Sequence, residues 1–353
     1  SALAQQTASQ NYKAKLKRVY IEGDYWFNYQ SGQGLNLTTR KMKLDLASDS
    51  LRLELSGKLS AASSAEAGSE DLFIMDDWRL SATELTGQVN GRDIPTDTVI
   101  AQNQHGQFAL EVPQLNLDRT LAVLQTIEGL PPKIVTPIHA LAPSGRATSV
   151  QLHLDLSHPK EFLLQAQVHG ASIKPWLGVP QIEQADGHIW LNRYGGKVAI
   201  SDDNGLSVRV VNLISKAWPI EGLKGEFSWR YGSLSNRFAS SNMAIELGQG
   251  QANLAIAAEF PRKGLATKPM LQLALGLQNL DLAGFPDLLP DRVLGDQLGA
   301  WLTQSTPAGQ VTQAALLYYG QPGVSKAIPV KTKVISPSLI YTKGWPAVEN
   351  LLA

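Results

Sequence analysis

Cysteine is absent from the 353 residues of this chain, which removes disulfides, thiolate nucleophiles and cysteine-held metals and leaves the compartment open. Long apolar runs are absent too. The longest runs only from Ala314 to Tyr319, far short of the roughly 20 residues that carry a helix across a bilayer. Neither charge is in excess: 31 basic residues balance 31 acidic ones, so the counterion-driven attraction of nucleic acid and a general polybasic membrane anchor are not expected. The opening Ser1 to Gln10 is small and polar, without the charged start and apolar stretch of a signal peptide, and reads as a linker. The last residues open a repeat described below, so the sequence reads as a fragment.

Catalytic patterns are missing as well. The six histidines show no HExxH or other zinc spacing. No nucleophile stands beside a recognisable base, and Gly32-Gln33-Gly34 and Gly248-Gln249-Gly250 are bare GxG strings with no helix to follow. Asp202-Asp203-Asn204-Gly205 lacks the alternating oxygen ligands and distal Glu of a calcium loop and reads as a hairpin turn. No enzyme, metal or cofactor is expected.

What the chain has in abundance is alternation. Hydrophobic residues make up 43% of it and charged residues 18%, enough to bury surface and too little charge for disorder. Val150-Gln151-Leu152-His153-Leu154-Asp155-Leu156 and Leu271-Gln272-Leu273-Ala274-Leu275-Gly276-Leu277 keep a period of two, which puts every apolar side chain on one face of a strand. Leu51 to Leu55, Phe162 to Val168, Val198 to Ile200 and Leu206 to Val210 follow suit. Tyr25, Phe27 and Tyr29, then Leu35 and Leu37 beyond a Ser-Gly-Gln-Gly turn, predict an aromatic hairpin. Asn90-Gly91, Gly195-Gly196 and the glycines at 248 and 250 mark further turns. Many short antiparallel strands with few helices predict a mainly β body.

Two segments break the pattern. Asp118 is placed to cap a helix carrying Leu121, Leu124 and Ile127, and Asp291 another carrying Leu294, Leu298, Trp301 and Leu302. The flanks of these helices repeat. Asn116-Leu117-Asp118 and Pro143 to Thr148 match Asn279-Leu280-Asp281 and Pro307 to Thr312, and Pro180 to Glu183 matches Pro346 to Glu349, in the same order and at nearly one offset. Collinear matches of this kind indicate repeats that extend one sheet. About two dozen strands at a ~4.8 Å spacing predict a length on the order of 100 Å. Periodicity alone leaves two readings of the apolar faces open: an ordinary sandwich core, or a groove for acyl chains.

At the repeat junctions, Ile173 to Glu183 with Gly187, then Trp218-Pro219-Ile220-Glu221-Gly222-Leu223-Lys224-Gly225, resemble the large bacterial YhdP proteins of the AsmA-like superfamily. So does the run from Asn279 through Leu288-Leu289-Pro290 and Leu298-Gly299-Ala300-Trp301-Leu302 to Gly309 and Tyr319-Gly320. The resemblance covers Gln114 to Ala353 well and the first hundred residues more loosely. It implies an elongated, strongly curved antiparallel sheet, open along one side like a taco, with two or more short amphipathic helices. The organisation expected is a flexible start at 1–10, an N-terminal β segment at 11–112, a first repeat unit at 113–278 and the beginning of a second at 279–353, in one continuous body.

The function implied is a periplasmic lipid-binding and lipid-transfer module, anchored to the inner membrane in the full-length protein, that carries phospholipid toward the outer membrane. Phospholipid is the implied ligand, and inner- and outer-membrane proteins are further partners; nucleic acid is not. The residues expected to meet acyl chains are Val150, Leu152, Leu154, Leu156, Leu164, Val168, Ile189, Leu191, Val198, Ile200, Val208, Val210, Leu271, Leu273, Leu275 and Leu277. The alternative is a structural or regulatory envelope protein that binds partner proteins and fills its apolar faces internally.

Overall fold

The computed structural model describes residues 18–30, 34–48, 51–64, 77–128, 130, 132–158, 160–176, 179–211, 215–248, 250–262, 264, 268–281, 308–321, 330–339 and 348–349. These residues form one antiparallel sheet of 21 strands and two short helices. Four long strands open it: β1 (Arg18–Gln30), β2 (Gly34–Ala47), β3 (Arg52–Ser64) and β4 (Asp77–Val89). Then come β5 (Arg92–Asp93), β6 (Val99–Gln104), β7 (Gln107–Asn116), α1 (Leu117–Leu124), α2 (Pro132–Leu141), β8 (Ser144–Asp155), β9 (Phe162–Ile173) and β10 (Gln181–Asn192). The middle holds β11 (Gly195–Asp202), β12 (Leu206–Arg209), β13 (Trp218–Ile220), β14 (Gly222–Tyr231), β15 (Ser235–Ser240) and β16 (Met243–Leu247). The last are β17 (Gly250–Pro261), β18 (Met270–Asp281), β19 (Ala308–Gly320), β20 (Val330–Leu339) and β21 (Val348–Glu349).

The strands follow one another across the sheet as a meander. The expected aromatic hairpin is present as β1 and β2, with Phe27 opposite Leu37. Asn90-Gly91 turns β4 into β5 with φ of 50° and 75°, the left-handed pair of a tight hairpin. Some rungs hold two strands end to end. β5 and β6 share the flank of β4, β11 and β12 both pair with β10, β13 and β14 face β12 and β11, and β15 and β16 both pair with β14. The described strands therefore make 17 rungs rather than two dozen, a span on the order of 80 Å at ~4.8 Å per rung.

Sharing of a rung also corrects the reading of Asp202-Asp203-Asn204-Gly205. The run does not reverse the chain; it jogs it, because β11 and β12 run the same way along β10. The Asp202 carboxylate makes the jog possible. It accepts the Asn204 N–H at 2.8 Å and, across the rung, the Asp186 N–H at 2.9 Å. Similar substitutions recur where strands bulge. Glu84, Ser149, Gln184 and Asn279 hold φ of 52°, 50°, 63° and 53° inside β4, β8, β10 and β18, and the first three lie at register shifts. Backbone N–H groups near these irregularities find side-chain oxygens: Leu59 donates to Thr39 at 2.9 Å, Gly170 to Asp186 at 2.7 Å and Gln184 to Ser172 at 3.1 Å. Ladder donors that lose a carbonyl partner thus stay paired.

The two long edges of the sheet differ. The hairpins β6–β7, β8–β9 and β10–β11 lie along one, the turn edge. Helices α1 and α2 lie along the other, the helix edge, between β7 and β8. Asn116, not Asp118, caps α1: its side chain accepts the Arg119 N–H at 2.9 Å. Asp118 sits in the first turn and accepts the Gly145 N–H at 3.1 Å. α2, which the alternation did not reveal, begins at Pro132, a position where the missing N–H is harmless. The helix expected after Asp291 lies outside the described residues. The expected boundaries at 112/113 and 278/279 fall inside β7 and β18, where the sheet is unbroken. The repeat has a structural counterpart. Gly145 and Gly309 open β8 and β19 with φ of 102° and 117°, and Pro180 and the proline at 346 precede β10 and β21.

Candidate functional site

Residues directly opposite in an antiparallel ladder share a face, so the registers trace one face across the molecule. Starting from Leu154, the pairs Phe108–Leu154 and Leu154–Phe162 connect β7, β8 and β9. Leu164–Leu191, Ile189–Val198 and Val198–Phe227 lead through β10 and β11 to β14. Phe227–Ser240 and Phe238–Ala258 reach β17, and Ile256–Leu273 and Leu273–Tyr318 reach β19. The sets from β8 and β18 thus fall on one face although more than a hundred residues separate them. All sixteen residues named above as candidates lie on it by register or strand alternation. Leu156 and Val210 stand just beyond the ends of β8 and β12.

The same face continues toward β1 through Leu110–Ala101, Leu80–Ala101, Ala61–Leu80 and Leu37–Ala61. This half was missed by sequence reasoning, although Leu53 and Leu55 carry the same alternation. The middle rungs were missed in part. Leu206, Ile220 and Leu223 form a buried cluster flanked by Ile182, Ile200, Val208, Met243, Ile245 and Leu247, and β13 and β16 are too short to give a periodic signal.

Burial along this face is graded. Met42, Ala82, Leu85, Val112, Ala147, Val168, Ala185, Leu206, Ile220, Leu223, Ala252, Leu280 and Val311 are its buried apolar residues. They run in a line through the helix-edge half of the strands, beside the bulges. Toward the turn edge the face opens: Leu152, Leu154, Leu271 and Leu273 are half-buried, and Phe27 and Phe260 are 69% and 42% exposed. Among the described elements the close contacts lie mostly along the hydrogen-bonded ladders, and α1 packs against β5, β7 and β8. The accessible surface is 23777 Å², against about 14000 Å² for a compact monomer of this mass.

The opposite face is charged. Lys58–Glu84, Lys197–Glu226 and Arg237–Glu259 are paired across neighbouring strands, and His153, as its alternation requires, stands among them, exposed. Ionisation there is shifted by local hydrogen bonds. The Ser235 hydroxyl and then Arg237 hold Glu259 below the ordinary glutamate range. The Ser157 backbone and side chain lower Asp155, and Asp203 raises Lys224. Among the described residues no group of three or more His, Asp or Glu is arranged to hold a metal ion, and no helix is long and apolar enough to cross a membrane.

A family model described as "YhdP protein" matches residues 2–353, nearly the whole chain. The chain belongs to the YhdP family. The match extends the resemblance from the repeat junctions to the loosely similar first hundred residues, and with it the YhdP-like chain is placed in the AsmA-like group. No curated protein and no solved structure matches it.

Proposed function

We propose that this YhdP-family chain is a lipid-binding and lipid-transfer module whose apolar sheet face carries the acyl chains of phospholipids. One observation supports it above the rest: an apolar face runs through the described sheet from β1 to β19, and toward the turn edge its leucines Leu152, Leu154, Leu271 and Leu273 stay only half-buried. Such a face provides no hydrogen-bond partners, so it suits hydrocarbon and leaves phosphate head groups at the wet margin. The bulges support a trough, because a bulge bends its strand and the best-buried side chains lie along the same line.

Transport along it is passive. Successive rungs offer similar apolar surface, so a lipid loses little on moving from one to the next, and direction is supplied from outside the chain. The family is not a known enzyme family, and this reading asks for no chemistry. It places the protein in the periplasm, attached to the inner membrane in its full-length form, with proteins of the two membranes as partners at its ends.

The test is direct. Chain purified from cells and extracted with organic solvent is expected to release phospholipid, identified by mass spectrometry, and to take up labelled phospholipid when stripped. A chain that arrives empty and stays empty would return the protein to the partner-binding alternative.

A further inference from the structure

On the charged face, close to the turn edge, two rows of side chains stand side by side across β10, β11, β14 and β15. One row is Trp190, Lys197, Ser228 and Ala239; the other is Asn192, Gly195, Arg230 and Arg237. Small residues in the middle and large ones around them leave a cavity of about 470 Å³. Its floor is Gly195, Ser228 and Ala239, and no larger residue fits at the first of these: a Cβ on Gly195 would collide with the Trp229 carbonyl oxygen. Its walls include three cations and no acid.

The cations are arranged at a cost to the empty protein. Arg230 and Arg237 are directly opposite each other in the ladder, a placement in which like charges repel at a Cβ separation of roughly 5 Å. Arg237 has Glu259 beside it at 3.4 Å, and Lys197 has Glu226 at 3.0 Å and the Trp190 ring at 4.5 Å. Arg230 has no acidic partner among the described residues. An anion between the two guanidinium groups would turn this repulsion into charge-assisted hydrogen bonds, and the tetrahedral oxygens of a phosphate accept from two forks at once.

The basin also borders the open margin of the apolar face. Tyr231 follows Arg230 and donates its N–H to Tyr194 O at 2.6 Å. Beyond it Leu234 is 66% exposed, and the Arg262 N–H donates to its carbonyl at 3.0 Å. Phe260 stands opposite Asn236 on the apolar face.

We propose that this basin binds a phosphate group, held between Arg230 and Arg237, and that its occupant is the head group of an anionic phospholipid whose chains reach over the turn edge toward Tyr231, Leu234 and Phe260. The proposal rests on the lipid-carrying reading of the apolar face. It adds a place where lipid is recognised before or while it is loaded, and a preference for lipids with net negative charge.

The chain is to be tested against vesicles of phosphatidylcholine with and without phosphatidylglycerol, by flotation, and against inorganic phosphate, by calorimetry. Wild-type chain is expected to bind the phosphatidylglycerol vesicles more tightly. Arg230→Gln and Arg237→Gln each reduce that binding by about fivefold, the effect of one charge near an anionic surface. Lys43→Gln, on a distant rung, leaves it unchanged. Without ligand, Arg230→Gln melts no lower than wild type, because it relieves a repulsion. Equal binding by wild type and Arg230→Gln, or an equal loss in Lys43→Gln, overturns the basin. Binding of inorganic phosphate through Arg230 without any vesicle preference overturns the head group as its occupant. Lipid extracted from the purified chain separates this from the groove itself. A lipid-free chain that still binds phosphate through Arg230 sinks the groove reading alone, and a lipid-loaded chain whose Arg230→Gln variant binds as wild type sinks the basin alone.

Discussion

Placing an arginine on the apolar face separates an open trough from a closed core. Leu273 lies between Ile256 and Tyr318 and is only half-buried. In Leu273→Arg the lost apolar burial is about 1 kcal/mol, roughly half of a fully buried leucine, while the long side chain lifts its guanidinium into water. Leu206, on the same face, is 4% exposed among Ile220 and Leu223. There an arginine has no path to water, and Leu206→Arg loses about 4 kcal/mol or more through cavity strain and an unpaired charge. Scanning calorimetry should show a drop of about 2–4 °C for the first variant and at least about 10 °C for the second. Bound phospholipid, measured on the same samples, should fall in Leu273→Arg despite its near-native stability. Leu154→Arg, at the matching place on β8, should behave like Leu273→Arg. Equal destabilisation of all three would mean the face is sealed, and undiminished lipid in Leu273→Arg would mean the lipid lies elsewhere.

Asp202→Ala strands the N–H groups of Asp186 and Asn204 in a site where the aspartate is fully buried. A loss of about 2–4 kcal/mol is expected, seen as a lower urea midpoint, with Asp202→Asn falling less. Gly195→Ala should disrupt the β11–β14 ladder through the Trp229 carbonyl and lower stability by about 2 kcal/mol or more; unchanged exchange protection of the β14 amides would contradict it. The lowered pKa of Glu259 makes its contribution complete above the ordinary value near 4.5 and lost as pH falls through the lowered value. Ser235→Ala should raise that pKa in a carbon-13 titration, because the hydroxyl is the larger cause.

Legibility in the sequence followed the length of the strands. β8 and β18 keep one face clean for seven residues, so alternation alone fixed which side chains stand together. The register then joined the two faces, which a single strand's pattern has no means of doing. β13 and β16 are three and five residues long, too short for a period to emerge. The jog at Asp202 was misread because Asp-Asn-Gly chemistry serves a reversal and an interruption equally well. What decides between them is the Asp186 N–H, sixteen residues away in sequence, which donates to the same carboxylate. The cap of α1 moved from Asp118 to Asn116 because both residue types accept backbone donors, and Gly145 offered one to Asp118. The basin was invisible for a different reason: Arg230 and Arg237 become neighbours only once the turn between β14 and β15 sets their pairing.

The meandering order has a kinetic side. The widest ladder pairing among the described residues, Leu271 with Gly320, joins positions 49 apart, and no strand waits for a partner from the far end of the chain. A β protein ordinarily folds slowly because distant segments must meet. Here each new strand docks on the one just formed, as beads are added to a string, and folding energy accumulates rung by rung in the manner of a one-dimensional lattice. A weak rung then frays locally instead of melting the whole. Amide exchange should step down gradually from the middle toward both ends, with the outermost ladder of β1 opening first and the long rungs around β8 to β10 last.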